Sequence, residues 1–106
     1  MSTTFDVIVL GGGPGGYIAA ERLGHAKKNV LLIEADALGG TCLNVGCIPS
    51  KALLHTSHLF EEAGHSFEEQ GISVGTPKID VTKMIARKSK IVEQLTAGIK
   101  GLFKKN

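Results

Sequence analysis

Two patterns of apolar and polar positions run along the chain, and together they predict about three helices and two strands. The runs FDVIVL (5–10) and NVLLIE (29–34) are apolar and rich in β-branched residues, which is typical of strands buried on both faces. A helical pattern from Tyr17 to about Ala26 lies between them. We therefore expect a βαβ unit whose two strands are parallel.

The rest of the chain predicts a loop and then two helices. We expect a loop over residues 35–46 and a helix over about 47–63, with Pro49 in its first turn, where a missing N–H has no consequence. Connecting sequence leads to Asp80, a favourable N-cap for a long last helix over about 81–103. The apolar positions of that helix keep helical spacing, so one face is expected to pack and the other to be solvated.

Length and charge limit the classes of protein to consider. The chain has 106 residues, enough for one small domain, and a net charge of +2 gives no reason to expect nucleic acid. The N-terminus carries neither a signal-peptide pattern nor an apolar run long enough to span a membrane, so we expect a reducing compartment, the cytoplasm. Two strands buried on both faces need neighbouring elements, so the chain is expected to be the front part of a larger domain.

Glycines cluster after the first strand, where Gly11, Gly13 and Gly16 match the GxGxxG fingerprint of dinucleotide binding. Gly11 permits the tight turn, Gly13 lets the backbone approach a pyrophosphate, and Gly16 lets helix and strand pack closely. Glu34 ends the next strand, where its carboxylate can accept hydrogen bonds from ribose hydroxyls. The fingerprint does not distinguish FAD from NAD, and a glycine turn without a ligand is the alternative interpretation.

Both cysteines of the chain, Cys42 and Cys47, lie in one short segment, and three interpretations compete for them. Zinc needs four ligands and CxxxxC is not a usual zinc spacing, so we predict no metal site. The other interpretations are two inert thiols and a redox-active disulfide. A bridge needs irregular backbone between the cysteines, which Asn44 and Gly46 can supply. A short loop next to a helix start, which stabilises a thiolate, favours the redox interpretation.

The segment GGTCLNVGCIPSKALL (39–54) closely resembles the redox-active segment of the flavin-dependent pyridine nucleotide–disulfide oxidoreductases, and the resemblance covers essentially the whole chain. It implies an α/β fold: a partial Rossmann-like FAD-binding domain with a βαβ unit, a helix bearing the redox disulfide and a long C-terminal helix. Residues 1–106 would form the N-terminal part of that domain, and the NAD-binding and dimerisation domains of the family would be absent.

The resemblance also implies roles for residues at matching positions. Cys42 resembles the interchange thiol that exchanges with a dithiol substrate, and Cys47 resembles the charge-transfer thiol near the flavin. Lys51 resembles the lysine at the N5 edge of the flavin, where a fixed cation favours the reduced anion. The positions implied to bind FAD are Gly11, Gly13 and Gly16 at the pyrophosphate, Glu34 at the ribose, and Gly39, Gly40, Thr41, Cys42 and Lys51 along the rest of the cofactor.

Within that family the chain is most similar to members that oxidise dihydrolipoamide, the E3 components of 2-oxo acid dehydrogenase complexes. Glutathione and mercuric reductases more often have Val in place of Leu43 and Ile48. The implied reaction uses FAD, NAD⁺ and dihydrolipoamide carried on a lipoyl domain, in a homodimer. A relative of the glutathione- or mercuric-reductase type and a non-catalytic nucleotide- or partner-binding fragment are the alternatives. The His–Glu acid/base pair of the family has no match, so we expect the chain alone to be inactive and its histidines to be surface or packing residues.

Two remaining features have structural interpretations. Family members usually end the first helix with glycine near position 27, where this chain has lysine, so we expect either a displaced helix end or a left-handed cap at Asn29. The basic residues of the last helix lack interleaved aromatic residues, which favours a solvated face over a nucleic-acid site.

Overall fold

The structure, a computed structural model, describes residues 4–105 and contains two strands and four α-helices within that range. The strands are β1 (Val7–Leu10) and β2 (Val30–Ile33). The helices are α1 (Pro14–His25), α2 (Gly40–Val45), α3 (Cys47–His65) and α4 (Val81–Lys105), with a 3₁₀ turn at Glu68–Gln70 between the last two. The order therefore begins with the predicted βαβ unit.

The two strands pair in parallel, as predicted, from Val7 opposite Val30 to Leu10 opposite Ile33. Helix α1 connects them, so the carboxyl ends of both strands meet at one edge of the sheet. Ligands of open α/β sheets bind outside this edge. The fingerprint turn follows β1 and Glu34 follows β2, so both candidate elements lie at this edge.

Helix α1 begins at Pro14, and the predicted start at Tyr17 is therefore wrong. Proline is favoured at the first helical position because it has no N–H to leave unpaired and its φ suits the helix. The earlier start places Gly16 inside the first turn of α1. The fingerprint thus forms the beginning of the helix as well as the turn before it.

The end of α1 uses an unusual residue, because Lys27 has a left-handed φ of 59°. The N–H of Lys28 donates to the carbonyl of Leu23 at 3.0 Å, and the N–H of Lys27 donates to the carbonyl of Gly24 at 2.9 Å. These two bonds form a Schellman motif. The expectation of a left-handed cap at Asn29 is wrong, because the lysine itself takes the position where the family usually has glycine.

Helix α2 replaces much of the loop predicted over residues 35–46, and that prediction is wrong for this part. The helix starts from a turn in which Gly39 has a left-handed φ of 101°. It ends before Gly46, whose φ of −122° and ψ of −113° separate α2 from α3. Asn44 lies inside α2, so the irregular backbone between the cysteines is at Gly46 and not at Asn44.

Helices α3 and α4 pack against each other as a hairpin. Pro49 lies in the first turn of α3, as predicted, and is buried. Asp80 is the N-cap of α4, also as predicted, since its Oδ1 accepts a hydrogen bond from the N–H of Lys83 at 3.1 Å. Among the helices of residues 4–105, none combines the length and the apolar composition needed to cross a membrane.

The buried hydrophobic side chains of the described residues are few: Ala20 of α1, Leu43 of α2 and Ile99 of α4. Helix α4 contacts both α1 and α2, so the small core lies where these helices meet. In β1, by contrast, Ile8 is 57 % exposed and Leu10 is 78 % exposed. The strands thus carry apolar residues that residues 4–105 do not cover, which agrees with the expectation that they need neighbouring elements.

Candidate functional site

The turn between β1 and α1 has the geometry that the fingerprint predicts. Gly11 has a φ of 100°, a conformation that L side chains rarely adopt, and its N–H donates to the carbonyl of Ile33 at 2.8 Å. A Cβ atom on Gly16 would lie 1.7 Å from the carbonyl oxygen of Gly11. The start of α1 therefore packs directly on the end of β1, and this contact requires glycine.

The N-terminus of α1 is suited to an anion. Gly13 is the N-cap residue and has no side chain to cap the helix, and the first turn contains no acidic residue. The N–H groups of the first turn and the helix dipole both favour a negative group at this end. This end of α1 therefore fits the pyrophosphate of a dinucleotide.

Glu34 turns its carboxylate toward the same turn. Its Oε2 accepts a hydrogen bond from the N–H of Gly12, and its Oε1 accepts one from the N–H of Asp36 at 3.3 Å. These bonds, that of Gly12 above all, lower the pKa of Glu34 below its ordinary value, so the group is an anion at neutral pH. A carboxylate has about four acceptor positions, so Glu34 keeps capacity for ribose hydroxyls.

The segment before α2 lies directly against the glycine turn. The N–H of Gly39 donates to the carbonyl of Gly12 at 2.7 Å. A Cβ atom on Gly40 would lie 2.7 Å from the Cα of Gly13, so the two backbones approach more closely than any side chain would permit. The two glycine-rich motifs of the chain are therefore one structural unit joined by backbone contacts.

Cys42 of α2 and Cys47 of α3 form a disulfide, with their Cα atoms 4.6 Å apart. Gly46 lets the two helix ends come this close. A Cβ atom on Gly46 would lie 2.9 Å from the carbonyl oxygen of Thr41 and 3.1 Å from the Cα of Cys42. The pairing required by the redox interpretation is thus present, and neither sulfur is a free thiol.

The two sulfur atoms have different surroundings. Cys47 is the first residue of α3 and is exposed, and Lys51, also exposed, follows one turn later on the same helix. Residues four apart share a helix face, so the lysine places a positive charge on the side of α3 that carries Cys47. Cys42 is half-buried and lines a cavity of about 380 Å³ whose walls are mainly apolar, among them Tyr17 and Ile99.

The histidines lie on the surface, as predicted, and all four are exposed: His25, His55, His58 and His65. His25 contacts Glu21 at 3.2 Å and His58 contacts Glu62 at 3.4 Å, each one turn away on the same helix. No histidine lines the cavity beside Cys42. Within residues 4–105 no cluster of three or more His, Cys, Asp or Glu side chains has a metal-binding arrangement.

Sequence reasoning missed two residues of this site. Gly12, which lies between the fingerprint positions, supplies the N–H that binds Glu34. Asn44 was expected to matter only through its backbone, yet its Nδ2 donates hydrogen bonds to the carbonyl of Leu38, before α2, and to that of Gly40, the first residue of α2. The run of three consecutive glycines, in which Gly12 is the middle residue, is a signal for Gly12, but nothing local in the sequence predicts the bonds of Asn44.

Comparisons with known proteins agree with this geometry. The family model described as pyridine nucleotide-disulphide oxidoreductase matches residues 5–106. Dihydrolipoyl dehydrogenase 1, mitochondrial, of Arabidopsis thaliana is 56 % identical over 102 residues, which are 95 % of this chain and 20 % of that protein. Dihydrolipoyl dehydrogenase of Cupriavidus necator is 53 % identical over 115 aligned residues, covering 100 % of this chain and 24 % of that protein.

A solved structure shows the same fold. The HOCl-induced flavoprotein disulfide reductase RclA of Escherichia coli, determined as a Cu(II) complex, matches with a TM-score of 0.72 and 27 % identity, over 94 % of this chain and 19 % of that one. The chain thus spans about a fifth of the length of the relatives it matches. The α/β fold, the disulfide and a family model that covers nearly every residue lead to one conclusion: the chain belongs to the pyridine nucleotide-disulphide oxidoreductase family.

Proposed function

We propose that the protein is a flavin-dependent disulfide oxidoreductase that oxidises dihydrolipoamide, that is, a dihydrolipoamide dehydrogenase (E3). The observation that carries the proposal is the Cys42–Cys47 disulfide, held in the same backbone unit as a dinucleotide turn. Relatives named dihydrolipoyl dehydrogenase, at 53 to 56 % identity, support dihydrolipoamide over glutathione or mercuric ion.

FAD is the cofactor that this site fits. Residues 11–16 form a turn and a helix N-terminus for the pyrophosphate, and we assign Gly11, Gly13 and Gly16 to this part of the cofactor. The carboxylate of Glu34 offers hydrogen-bond acceptors for the ribose. We assign the lining of the site toward the disulfide to residues 39–42, and Lys51 is a cation on the Cys47 side of α3. Bound FAD supplies the two-electron chemistry that links the reduced cysteine pair to NAD⁺.

The surroundings of the two sulfur atoms support a division of roles. A thiolate of dihydrolipoamide attacks Sγ of Cys42, a residue that lines the cavity, and the bond between the cysteines breaks with Cys47 leaving as a thiolate. The second substrate thiolate then attacks the substrate sulfur of this mixed disulfide, which releases cyclic lipoamide and leaves Cys42 as a thiolate. The position of Cys47 at the first residue of α3 stabilises its negative charge.

The same proposal places the chain in a larger protein. Residues 1–106 form the N-terminal part of the FAD-binding domain, and the NAD-binding and dimerisation domains of the family lie outside them. The exposed apolar residues of β1, such as Leu10, support this, because further elements would cover them. The partners are a lipoyl domain, a second copy that supplies the His–Glu pair, and a 2-oxo acid dehydrogenase complex.

The cytoplasm is the proposed compartment, although the Arabidopsis relative is named mitochondrial.

The test is an assay of the whole protein, purified or refolded with FAD, for NADH formation from NAD⁺ and dihydrolipoamide. We expect bound flavin, turnover, and a fall to about a thousandth or less in Cys42→Ser, because the variant lacks the sulfur that accepts the substrate. Ser57→Ala, which changes an exposed hydroxyl of α3, is the control and should keep full activity. A protein that takes up no FAD, or that reduces glutathione disulfide but leaves dihydrolipoamide unoxidised, would contradict the proposal.

A further inference from the structure

The side chain of Asn44 binds both the segment that precedes α2 and the first residue of the helix itself. Its Nδ2 donates to the carbonyl of Leu38 at 3.0 Å and to the carbonyl of Gly40 at 2.9 Å. An amide NH₂ group has two donor positions, so both are used here. The side chain is half-buried, which protects these bonds from competition with water.

The two accepting carbonyls flank the residue that touches the dinucleotide turn. Gly39, which lies between them, donates its N–H to the carbonyl of Gly12 at 2.7 Å, and Gly40 lies against Gly13. Asn44 in turn lies two residues after Cys42 on α2. A short chain of hydrogen bonds therefore leads from the helix that carries one redox cysteine to the turn assigned to the cofactor.

We propose that Asn44 is a positioning residue that keeps Cys42 opposite Cys47 when the disulfide is open, and keeps the pair in register with the dinucleotide turn. The inference rests on the proposed function, in which the pair cycles between disulfide and dithiol. In the oxidised protein a covalent bond joins α2 to α3. In the reduced protein α2 has only six residues and depends on noncovalent contacts, among them the burial of Leu43, packing on α3 and α4, and the bond from Asn44 to Leu38 before the helix.

Loss of the Asn44 donors should therefore act mainly on the reduced state. The disulfide already restrains α2 in the oxidised state, whereas the dithiol state gains conformational freedom when the tie is removed. The effective concentration of the Cys42 thiol toward the Cys47 thiol then falls, so the disulfide becomes easier to reduce. A tenfold fall corresponds to about 30 mV for this two-electron couple. A residue with a purely structural role would destabilise both states alike and leave this equilibrium unchanged.

The test compares Asn44→Asp, which has the same shape but no donors, with Asn29→Asp. Asn29, which directly precedes β2, is a matched control. Its Nδ2 also donates to a backbone carbonyl, that of Thr4, at 2.7 Å. Whole protein is equilibrated at pH 7 with mixtures of reduced and oxidised dithiothreitol, trapped with an alkylating reagent and measured by mass spectrometry. We expect the equilibrium of Asn44→Asp to shift about tenfold toward the dithiol. Asn29→Asp should stay within about twofold of the wild type.

A second variant covers the case in which Asn44→Asp does not fold, as judged by circular dichroism. Asn44→Ser loses both bonds without placing a charge beside two carbonyls, and the same shift is expected of it. An equilibrium within twofold of the wild type in the folded Asn44 variant, or an equal shift in Asn29→Asp, would overturn the inference. Absence of flavin or of dihydrolipoamide oxidation in the wild type would instead overturn the proposed function, since the thiol equilibrium is measured without either.

Discussion

The carboxylate of Glu34 accepts a hydrogen bond from the backbone N–H of Gly12, so the acid at the end of β2 is bound to the turn at the end of β1. The carbonyl of the same glycine accepts a hydrogen bond from the N–H of Gly39, which directly precedes α2, the helix that carries Cys42. Gly12 is thus bound to two residues, Glu34 and Gly39, that lie more than twenty positions later in the sequence. Glu34, the glycine turn and the start of α2 are therefore held in a fixed relation by hydrogen bonds to Gly12.

The bond to Gly12 makes part of the stability of the protein depend on pH. The pKa of Glu34 in the folded state is lower than its ordinary value of 4.5, so the contribution of this group is fully present above about pH 4.5 and is lost as the pH falls through the lower folded-state pKa. We expect Glu34→Gln to be less stable than the wild type at pH 7, and the difference to narrow toward pH 3. Urea midpoints of both proteins from pH 7 to pH 3 measure this.

The control for this pH dependence is Glu93→Gln, which changes an exposed carboxylate of α4. It should follow the wild type closely at every pH. A difference between Glu34→Gln and the wild type that stays constant from pH 7 to pH 3 would show that the carboxylate gains nothing from the amide of Gly12 when it ionises.

The contact between Gly16 and Gly11 predicts that alanine has opposite effects on the free energy of unfolding at two helical glycines, Gly16 and Gly101. A Cβ at position 16 would lie 1.7 Å from a backbone oxygen, so Gly16→Ala must separate α1 from β1 and should lower the free energy of unfolding by at least about 2 kcal/mol. Gly101 of α4 has open space where its Cβ would be, so Gly101→Ala should raise it by up to about 1 kcal/mol. Equal effects in urea unfolding would contradict the packing argument.

Local patterns predict those parts of the fold whose causes are local. Apolar runs and the glycine fingerprint are contiguous in sequence, so the βαβ unit and the cap at Asp80 follow from them. The bonds between Gly12 and Glu34, and between Gly39 and Gly12, join residues more than twenty positions apart. No local pattern records which backbone groups such residues use, so these contacts required the structure.

The sequence did not predict helix α2 for a related reason. A helix of six residues is not stable by its own propensity, and its sequence, with glycine at one end and Asn44 near the other, is typical of a loop. Tertiary contacts hold it instead: Leu43 is buried, Cys42 is bonded to Cys47, and the amide of Asn44 binds the preceding turn. The resemblance to a known family implied a redox role for this segment without predicting its conformation.

The left-handed conformation of Lys27 predicts a stabilising substitution. A non-glycine residue loses roughly 1 kcal/mol in this region because its Cβ crowds the following carbonyl. Lys27→Gly should therefore raise the free energy of unfolding by about 1 kcal/mol, as measured in urea, while both Schellman bonds persist. Lys28→Gly is the control, because Lys28 has no positive φ and glycine there only adds freedom to the unfolded chain. A gain of the same size in Lys28→Gly would refute this explanation.

The close approach at Gly46 predicts that a single methyl group will weaken the disulfide. A Cβ there would lie 2.9 Å from the carbonyl oxygen of Thr41, so Gly46→Ala must move α2 away from α3 and with it Cys42 away from Cys47. We expect the equilibrium with dithiothreitol to shift at least about tenfold toward the dithiol, as measured by alkylation and mass spectrometry. Val45→Ala, which trims a side chain that is 77 % exposed, should leave it unchanged. A disulfide in Gly46→Ala as stable as in Val45→Ala would mean that the two helix ends can separate without straining the bond.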